Sequence, residues 1–379
     1  MKIGINAFGC NHGRSGIGAY IHSLIHNVPK ELPHTVQIFG PQFDKYIYTT
    51  GLDPSLYEGI TVEDNELAER LFVKTNLNSL VSKLGYDALL FPAGLQMLPM
   101  NFSKPSFLVM QEIIKQENSF NIFASLDKLN KKKLLNKVSG IIAASNYIKD
   151  NLIAVGVNRQ KIKVIYNGID TSVFHPKDSE HALQAVAVPF EIQKPYIIYA
   201  SSISEPEKRH SELLKAFEIF KAKTGLPHRL VIAGQDGKIA PVFHREVLSS
   251  RFVSDIILAG YIEQNQLAHF YRESDLCVFP SEIEGVGLPL IEAMACGIPT
   301  ACARATVLPE IAGDASCYFD AKNPADIAEV IERLASTAEG STAAFRTELV
   351  TKGLEWVKRF SWEKTATKTF EYISDKITE

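Results

Sequence analysis

The sequence lacks any run of about 18 uninterrupted apolar residues, the length that a helix needs to cross a bilayer. The N-terminus also lacks the basic segment and the long apolar run of a secretory signal peptide, and it enters a short strand-like stretch at residues 2–6 directly. A membrane-spanning or secreted protein is therefore not expected, and the sequence predicts a cytoplasmic location.

Cysteine is scarce and irregularly placed. The chain of 379 residues has five cysteines, and no two of them have the Cys-x-x-Cys spacing of redox and zinc motifs. An odd, scattered set in a chain of this length indicates buried, reduced thiols rather than a disulfide framework. The set is Cys10, Cys277, Cys296, Cys302 and Cys317.

Motifs of several other protein classes are missing. The formal net charge is -3, and without an excess of basic residues nucleic acid is not an expected partner. No Asp-x-Asp occurs and the 10 histidines have no ligand spacing, so no metal site is expected. The chain also lacks a P-loop, a Gly-x-Ser-x-Gly element and any repeat of about 20–50 residues, and the last absence excludes a solenoid.

Short apolar runs alternate with helix-period segments along the chain, which is the pattern of parallel α/β sheets. With 379 residues, 46% of them hydrophobic and 22% charged, two globular domains are expected. The predicted strands of the first half are residues 2–6, 36–39, 87–91, 106–110, 140–144 and 162–166. Those of the second half are residues 196–200, 229–233, 255–259, 275–279 and 298–302.

The domain division is predicted where this alternation lapses, between His175-Pro176 and the strand that follows Lys194-Pro195. We predict domains at residues 1–178 and 190–360, and a C-terminal helix at 361–379 that packs back on the first domain. Both domains are predicted to be doubly wound and to face each other across a cleft. Ligands of such folds bind beyond the carboxyl ends of the strands, so the residues after each strand are the first candidates for a site.

The most informative segment is a glycine loop between a buried strand and a helix. Gly285 and Gly287 would let a ligand approach the backbone closely. The helix, which is predicted to open at Pro289, offers free amides and a partial positive charge to a phosphate. Glu284 in the loop and Glu292, predicted in the first helical turn, can point into one pocket. The alternative is a generic strand–loop–helix unit whose acids complement the helix dipole.

This segment reads Glu-Gly-x-Gly-Leu-Pro-x-x-Glu-Ala-Met-Ala-x-Gly-x-Pro, and with its Glu-x7-Glu spacing it resembles the signature of the retaining glycosyltransferases of family 4, or group 1. The resemblance covers nearly the whole chain and is most specific over residues 196–320. It implies the GT-B fold of two Rossmann-like domains, with Glu284 on the hydroxyls of the donor sugar and Glu292 on the ribose. It also implies that the sugar and phosphate are held by the backbone amides of Gly285, Val286, Gly287 and Leu288. Val286 stands where the family often has Phe, a minor departure because the backbone does the binding.

Two adjacent cations, Lys208 and Arg209, follow the predicted strand 196–200 and open a helix. They suit a diphosphate that gains negative charge as a sugar leaves, although solvated charges at a helix start are the alternative. The resemblance implies that Lys208 contacts the diphosphate. Ser202 stands where the family often has a second cation, an arginine, and Arg209 is the candidate to replace it.

The first half carries a second glycine-rich loop before a helix, with Gly16 and Gly18. It does not meet the Gly-x-Gly-x-x-Gly dinucleotide fingerprint, and residues 36–40, at the next predicted strand, include no acidic residue. The resemblance implies instead that this loop lies near the donor phosphate and the acceptor. The stretch Tyr166–Asp170 also matches the family, and we interpret it as a turn that closes the first domain.

Three further assignments come from the family pattern or from charge. Ile262, after strand 255–259, falls where the family reads the nucleobase with backbone atoms. Gln111, after strand 106–110, stands where the family commonly has a histidine that contacts the donor sugar. The basic stretch Lys128–Lys137 combines lysines with leucines at helical spacing. It fits either a peripheral contact with an anionic membrane or the solvated face of a packed helix.

The resemblance implies a glycosyltransferase that retains the anomeric configuration, and the absence of metal motifs predicts that it needs neither a metal ion nor a cofactor. Its donor would be a nucleotide-diphosphate sugar, GDP-mannose or a UDP-sugar, and its acceptor a hydroxyl of a glycan or a lipid-linked molecule. The predicted catalytic residues are Glu284, Lys208, Arg209 and Gln111. A nucleotide-sugar epimerase on a similar frame and a non-catalytic, nucleotide-sugar-binding subunit remain as alternatives.

Overall fold

The computed structural model describes residues 1–13, 15–114, 122–177, 192–335 and 341–378, without the side chains of residues 122–129, 341 and 342. The chain forms two compact units, one of Met1–Gly168 with Phe360–Glu379 and the other of Ile169–Arg359. Each unit contains one parallel sheet, so the prediction of two doubly wound α/β domains is confirmed.

The first unit has a seven-stranded sheet in which every described pair of strands is parallel. Its strands are β1 (Lys2–Asn6), β2 (Thr35–Pro41), β3 (Tyr57–Ile60), β4 (Ala88–Phe91), β5 (Ser106–Met110), β6 (Gly140–Ala143) and β7 (Ile162–Val164). They lie in the order β3-β2-β1-β4-β5-β6-β7, so the direction of strand addition reverses between β1 and β4. The central strands β4, β5 and β6 are buried along their whole length, as expected where helices cover both faces of a sheet.

Helices connect these strands. They are α1 (Gly16–His26), α2 (Lys45–Tyr48), α3 (Glu66–Thr75), α4 (Leu77–Leu84), α5 (Ile122–Lys137) and α6 (Asn146–Ala154). The first helix begins at Gly16 because the hydroxyl of Ser15 caps it and accepts a hydrogen bond from the amide of Gly18 at 3.1 Å. Helix α4 ends at Gly85, whose left-handed φ of 68° favours glycine.

The second unit repeats this plan with six strands. They are β8 (Tyr196–Ala200), β9 (Arg229–Ala233), β10 (Ile256–Gly260), β11 (Leu276–Phe279), β12 (Thr300–Ala303) and β13 (Cys317–Phe319). Their order is β10-β9-β8-β11-β12-β13, so the reversal falls between β8 and β11. The helices are α7 (His210–Thr224), α8 (Ala240–Leu248), α9 (Gln264–Glu273), α10 (Leu288–Ala295), α11 (Leu308–Ala312), α12 (Pro324–Ala335) and α13 (Ser341–Val357).

The sequence prediction missed two strands, β3 and β13. Both lie at an edge of their sheet and are short, and each includes positions that are only partly buried. Short strands of this kind carry too little hydrophobic periodicity to be recognised.

The first continuous stretch of the first unit ends at Gly168, before the predicted division at 178–190, which lies outside the described residues. The stretch that begins at Ile169 belongs with the second unit, because its backbone accepts a hydrogen bond from a side chain of that unit. The guanidinium of Arg272 donates to the carbonyl of Val173 at 3.0 Å.

The last helix, α14 (Trp362–Thr378), belongs to the first unit. Its Tyr372 hydroxyl donates to the carbonyl of Lys161 at 2.8 Å, and the rings of Tyr372 and Phe107 in β5 form a T-shaped pair with centroids 5.9 Å apart. The hydroxyl of Thr365 donates to the carbonyl of Tyr166 at 2.7 Å. The end of the chain is therefore tied to the sheet of the first unit.

The structure also bears on the few cysteines of the chain and on its lack of long apolar runs. All five cysteines are buried and unpaired, as predicted. Within the described ranges, every helix is too short or too polar to cross a bilayer.

Candidate functional site

The candidate site lies at the carboxyl edge of the second sheet, where the strand order reverses between β8 and β11. In open α/β sheets, ligands commonly bind at such a reversal, beyond the carboxyl ends of the strands. The two loops are joined by a backbone hydrogen bond of 2.7 Å from the amide of Glu282 to the carbonyl of Glu207. The predicted residues after strands 196–200 and 275–279 are thus neighbours in space.

Lys208 and Glu284 form an ion pair across these loops. Their side chains are only 21% and 13% exposed, so the pair is largely shielded from water. The hydroxyl of Tyr199 donates to the carbonyl of Lys208 at 2.9 Å and fixes the backbone that presents the ammonium group. The structure therefore brings together a cation and a carboxylate that the sequence assigned to the diphosphate and the sugar.

Arg209 is held by acidic side chains of its own. Its Nε donates to Glu282 at 3.0 Å and its Nη1 donates to Glu212 at 2.7 Å. Glu282 also pairs with Lys322 at 2.7 Å. The guanidinium thus belongs to a four-residue charge network beside the Lys208–Glu284 pair, and a diphosphate would have to compete with two carboxylates for it.

His210 lies next to these cations but is not one of them. Its ring is buried between the rings of Tyr199 and Phe243, with centroids 4.9 and 5.3 Å away. This burial lowers the pKa of His210 to about 4, so the imidazole is neutral near pH 7. The positive charge of this loop therefore comes from Lys208 and Arg209.

Ser202, the residue in place of the family arginine, is partly buried in the loop after β8. Its hydroxyl oxygen lies 3.0 Å from that of Ser204. A hydroxyl at this position can donate one hydrogen bond to a ligand but carries no charge.

The glycine loop leads into α10, and two details differ from the prediction. The helix begins at Leu288 rather than at Pro289, and Glu292 consequently lies in its second turn and not its first. Gly287 precedes the helix with a left-handed φ of 71°, a conformation that favours glycine. Gly285 and Val286 are partly exposed at the start of the helix, where backbone amides can meet a ligand.

Glu292 is buried, with 9% of its surface exposed. Desolvation by this burial raises the pKa of Glu292 to about 7. A carboxyl group that is costly to charge in the free protein can gain from a ligand that donates hydrogen bonds to its oxygens.

Ile262 follows β10 and is buried, whereas the adjacent Tyr261 is 62% exposed. Strand β10 lies three strands from β11 in the same sheet, or roughly 14 Å at about 4.8 Å per strand. The position predicted to read a nucleobase is therefore on the same edge of the sheet as Glu284 and well separated from it.

In the first unit, the two predicted glycines differ in what surrounds them. A Cβ at Gly18 would collide with the backbone of Gly13, so close packing within the loop requires glycine there. Gly16 is exposed at the start of α1 and has open space where a Cβ would lie. Arg14, two positions before Gly16, lies outside the described residues.

Gln111 follows β5 at the carboxyl edge of the first sheet. The residue is partly buried, and its Nε2 is inaccessible to solvent without a hydrogen-bond partner among the described residues. A buried amide nitrogen that lacks a partner is costly, which makes it a candidate to bind a ligand.

Sequence reasoning missed a histidine in the loop after β1. The ring of His12 lies between two carboxylates, 2.9 Å from Asp44 and 3.1 Å from Asp64. The hydrogen bond to Asp44 raises the pKa of His12. Asn11 and His12 have positive φ angles of 50° and 52°, which is uncommon for residues other than glycine. The sequence signal, Asn-His-Gly before a helix cap, indicates only a turn.

Sequence reasoning also missed Thr306, in the loop after β12. Its hydroxyl accepts a hydrogen bond from the amide of Glu284 at 3.1 Å. No spacing rule connects the two residues, because the contact depends on the pairing of β11 with β12.

The basic stretch Lys128–Lys137 lies on α5. Its described lysines are exposed and Leu135 is buried. A packed helix with a solvated face and a helix that touches an anionic surface share this arrangement. In the described part of the chain, no three His, Cys, Asp or Glu side chains cluster as metal ligands.

Two family models match the chain. Residues 14–173 match the model described as Glycosyltransferase Family 4, and residues 185–346 match the model described as Glycosyl transferases group 1. Together the two matches span most of the chain, one in each half.

The chain is similar to curated proteins over part of their length. It is 31% identical to the O-antigen chain mannosyltransferase B of Escherichia coli over 174 residues, which are 46% of this chain and 44% of that protein. The chain thus matches less than half of the length of this relative.

Solved structures share the fold over nearly the whole chain. The sucrose-phosphate synthase of Thermosynechococcus elongatus has a TM-score of 0.75 at 18% identity and covers 100% of this chain and 99% of its own. Anabaena HepE in complex with UDP and glucose has a TM-score of 0.72 at 16% identity, with 99% of each chain covered. At these identities the likeness shows the fold alone. Together with the two family models, it shows that the chain belongs to the group 1 glycosyltransferases of family 4, with the GT-B fold.

Proposed function

We propose that this chain transfers a sugar from a nucleotide-diphosphate donor to an acceptor hydroxyl, with retention at the anomeric carbon and without a metal ion. The observation that carries this proposal is the shielded Lys208–Glu284 pair at the reversal of the second sheet. A cation and a carboxylate on adjacent loops match the two charges that this reaction requires, one for the leaving diphosphate and one for the sugar hydroxyls.

In the free protein Lys208 and Glu284 neutralise each other. A bound donor would replace this contact, because its diphosphate oxygens attract the ammonium group and its sugar hydroxyls donate to the carboxylate. Lys208 then stabilises negative charge as the bond between the sugar and the phosphate breaks. The acceptor hydroxyl attacks on the face that the phosphate leaves, and its proton passes to a departing phosphate oxygen.

The rest of the donor has candidate partners on the same edge of the sheet. The amides at the start of α10 would contact the sugar and the phosphate. Glu292 would accept hydrogen bonds from the ribose hydroxyls, which offsets the cost of its buried charge. The backbone near Ile262 would contact the nucleobase. Orientation by these groups lowers the entropic part of the barrier.

The nucleotide and the sugar are proposed from the comparisons. The similarity to a mannosyltransferase of O-antigen chains supports mannose as the transferred sugar and a glycan as the acceptor. We therefore propose GDP-mannose as the donor and a glycan or lipid-linked saccharide as the acceptor. The likeness to a protein bound to UDP and glucose keeps UDP-sugars as the second choice. A peripheral membrane contact through the exposed lysines of Lys128–Lys137 would suit a lipid-linked acceptor.

Two other functions fit parts of the site. A nucleotide-sugar epimerase would use the same donor pocket but would form product without an acceptor. A non-catalytic subunit would bind the donor without turnover, and Ser202 in place of the family arginine is the residue that favours it.

The test begins with thermal stabilisation by GDP, UDP and ADP, since a ligand that binds only the folded state raises its stability. The corresponding nucleotide sugar is then incubated with and without saccharide acceptors, and the anomeric configuration of the product is read by NMR. We expect acceptor-dependent release of the nucleoside diphosphate and an unchanged anomeric configuration. Product without an acceptor would favour the epimerase, and binding without turnover would favour the non-catalytic subunit.

A further inference from the structure

Thr306 occupies a strained position beside the candidate site. It lies in the loop between β12 and α11 and has a φ of 46°, in the left-handed region. A β-branched residue rarely adopts this conformation, because its branched Cβ crowds the backbone. Such strain persists only where the surroundings hold it, and it is concentrated at functional sites. Glycine would satisfy the turn without this strain.

The loop of Thr306 supports the start of the glycine loop. The hydroxyl of Thr306 accepts a hydrogen bond from the amide of Glu284 at 3.1 Å. Helix α11, which follows the loop of Thr306, lies close to the end of the glycine segment, since a Cβ added to Gly287 would lie 3.2 Å from a methyl group of Leu308. The glycine loop is therefore tied at its start to the loop after β12 by a hydrogen bond.

The hydrogen bond gives a reason for threonine at a position where the backbone favours glycine. Glycine has no side-chain oxygen and would leave the amide of Glu284 without this acceptor. The peptide that carries this amide sets the direction of the Glu284 side chain, which reaches Lys208. A hydroxyl at position 306 therefore acts on the carboxylate through the backbone and does not touch the donor itself.

We infer that Thr306 is a positioning residue for Glu284, and that its hydroxyl holds the carboxylate in the orientation that receives the hydroxyls of the donor sugar. This inference rests on the proposed function for its effect on turnover. The geometric part, a hydroxyl that holds the amide of Glu284, stands apart from that function and can be tested separately.

The first test compares three variants in acceptor-dependent turnover. Thr306→Ser keeps the hydroxyl and should retain kcat within about twofold. Thr306→Val keeps the shape and loses the hydroxyl, and its kcat should fall about 10-fold with a small change in the affinity for the bare nucleoside diphosphate. Thr306→Gly relieves the backbone strain but should be as slow as the valine variant. Wild-type kcat in either the valine or the glycine variant would overturn the inference.

The second test is a double-mutant cycle with Glu284→Ala. If Thr306 acts through the carboxylate, Thr306→Val should leave the residual rate of Glu284→Ala unchanged. An equal fractional loss in both backgrounds would mean that the threonine only supports the fold, and it would overturn the inference.

The third test does not depend on activity. Hydrogen exchange of the Glu284 amide, followed by NMR in the free protein, should be slow in the wild type and in Thr306→Ser. It should be at least 10-fold faster in Thr306→Val, while an amide in β8 serves as the internal control. Unchanged exchange in the valine variant would overturn the positioning role even if the chain proved to be a transferase. Faster exchange in a chain without transferase activity would retain the positioning of Glu284 and reject the proposed function.

Discussion

The two sheets reverse their strand order at equivalent places, β1 beside β4 in the first unit and β8 beside β11 in the second. The loops at the second reversal carry paired charges, Lys208 with Glu284 and Arg209 with Glu282. The loop after β1 instead contains a strained turn and a histidine held between carboxylates. One folding plan therefore supports two different chemistries, because topology positions the loops and the residues in them decide what can bind.

The two regions also differ in the polar groups that they bury. The second unit buries a carboxyl group, Glu292, whose pKa is raised by desolvation. The first unit buries an uncharged amide nitrogen of Gln111 without a partner among the described residues. Glu292 would be satisfied by a ligand that donates hydrogen bonds, such as one rich in hydroxyls, and the Gln111 amide nitrogen by a ligand that accepts one. The predictions below test each group separately.

The largest effect is expected at Glu284. Glu284→Ala should lower kcat by roughly two to three decades, because in the proposed mechanism the carboxylate acts on the sugar mainly as the transition state forms. Affinity for the bare nucleoside diphosphate, measured by calorimetry, should change little. Glu292→Ala is the matched comparison and should mainly weaken nucleotide binding. Equal losses of bare nucleotide affinity in the two variants would contradict the separate roles.

Burial of Glu292 should make stability depend on pH. Its carboxyl pKa is raised to about 7 in the folded protein, so the folded state binds more protons than the unfolded state at pH values between its ordinary pKa of 4.5 and about 7. The free energy of unfolding should therefore fall by about 3 kcal/mol over this window as pH rises. Denaturant unfolding at several pH values measures this free energy. Glu292→Gln should abolish this part of its pH dependence.

The control is Glu329→Gln, a change of the same type at an exposed position. It should leave the pH dependence of the wild type intact. If Glu292→Gln and the wild type lose stability in parallel between pH 4.5 and pH 8, the prediction that burial raises the pKa of Glu292 is wrong.

A smaller effect is expected at Gln111. Gln111→Ala should cost about 1–3 kcal/mol in kcat/KM if the amide bonds to the donor. Because glutamine does not titrate, pH–rate profiles of the wild type and Gln111→Asn should have the same shape. An alanine variant with unchanged rate and donor affinity would assign Gln111 to the fold and direct the search to Glu112.

No effect is expected from metal removal. Turnover should survive excess EDTA, because the proposed mechanism neutralises the diphosphate with Lys208, Arg209 and backbone amides. Loss of activity with EDTA and its recovery with Mg²⁺ or Mn²⁺ would contradict the metal-free mechanism.

Part of this site was predictable from local sequence. The glycine loop, the helix after it and the two glutamates appear as a contiguous motif, since strand, turn and helix signals are carried by neighbouring residues. The turn of Glu292 was misplaced because a helix boundary depends on cap geometry, which here begins at Gly287. The short edge strand β13 was not predicted, because three residues are too few to show a hydrophobic alternation.

The sequence by itself determined the two α/β units, the absence of a spanning segment among the described helices, and the identity of the charged residues after each strand. Only the tertiary structure decided which of those residues meet. Lys208 and Glu284 are 76 positions apart, and they pair because β8 and β11 are neighbours at the reversal of the sheet. Thr306 reaches Glu284 for the same reason, through the pairing of β11 with β12. Hydrophobic periodicity is a local property of the sequence, whereas strand order results from long-range packing. The candidate site depends on strand order, because strand order decides which loops are neighbours.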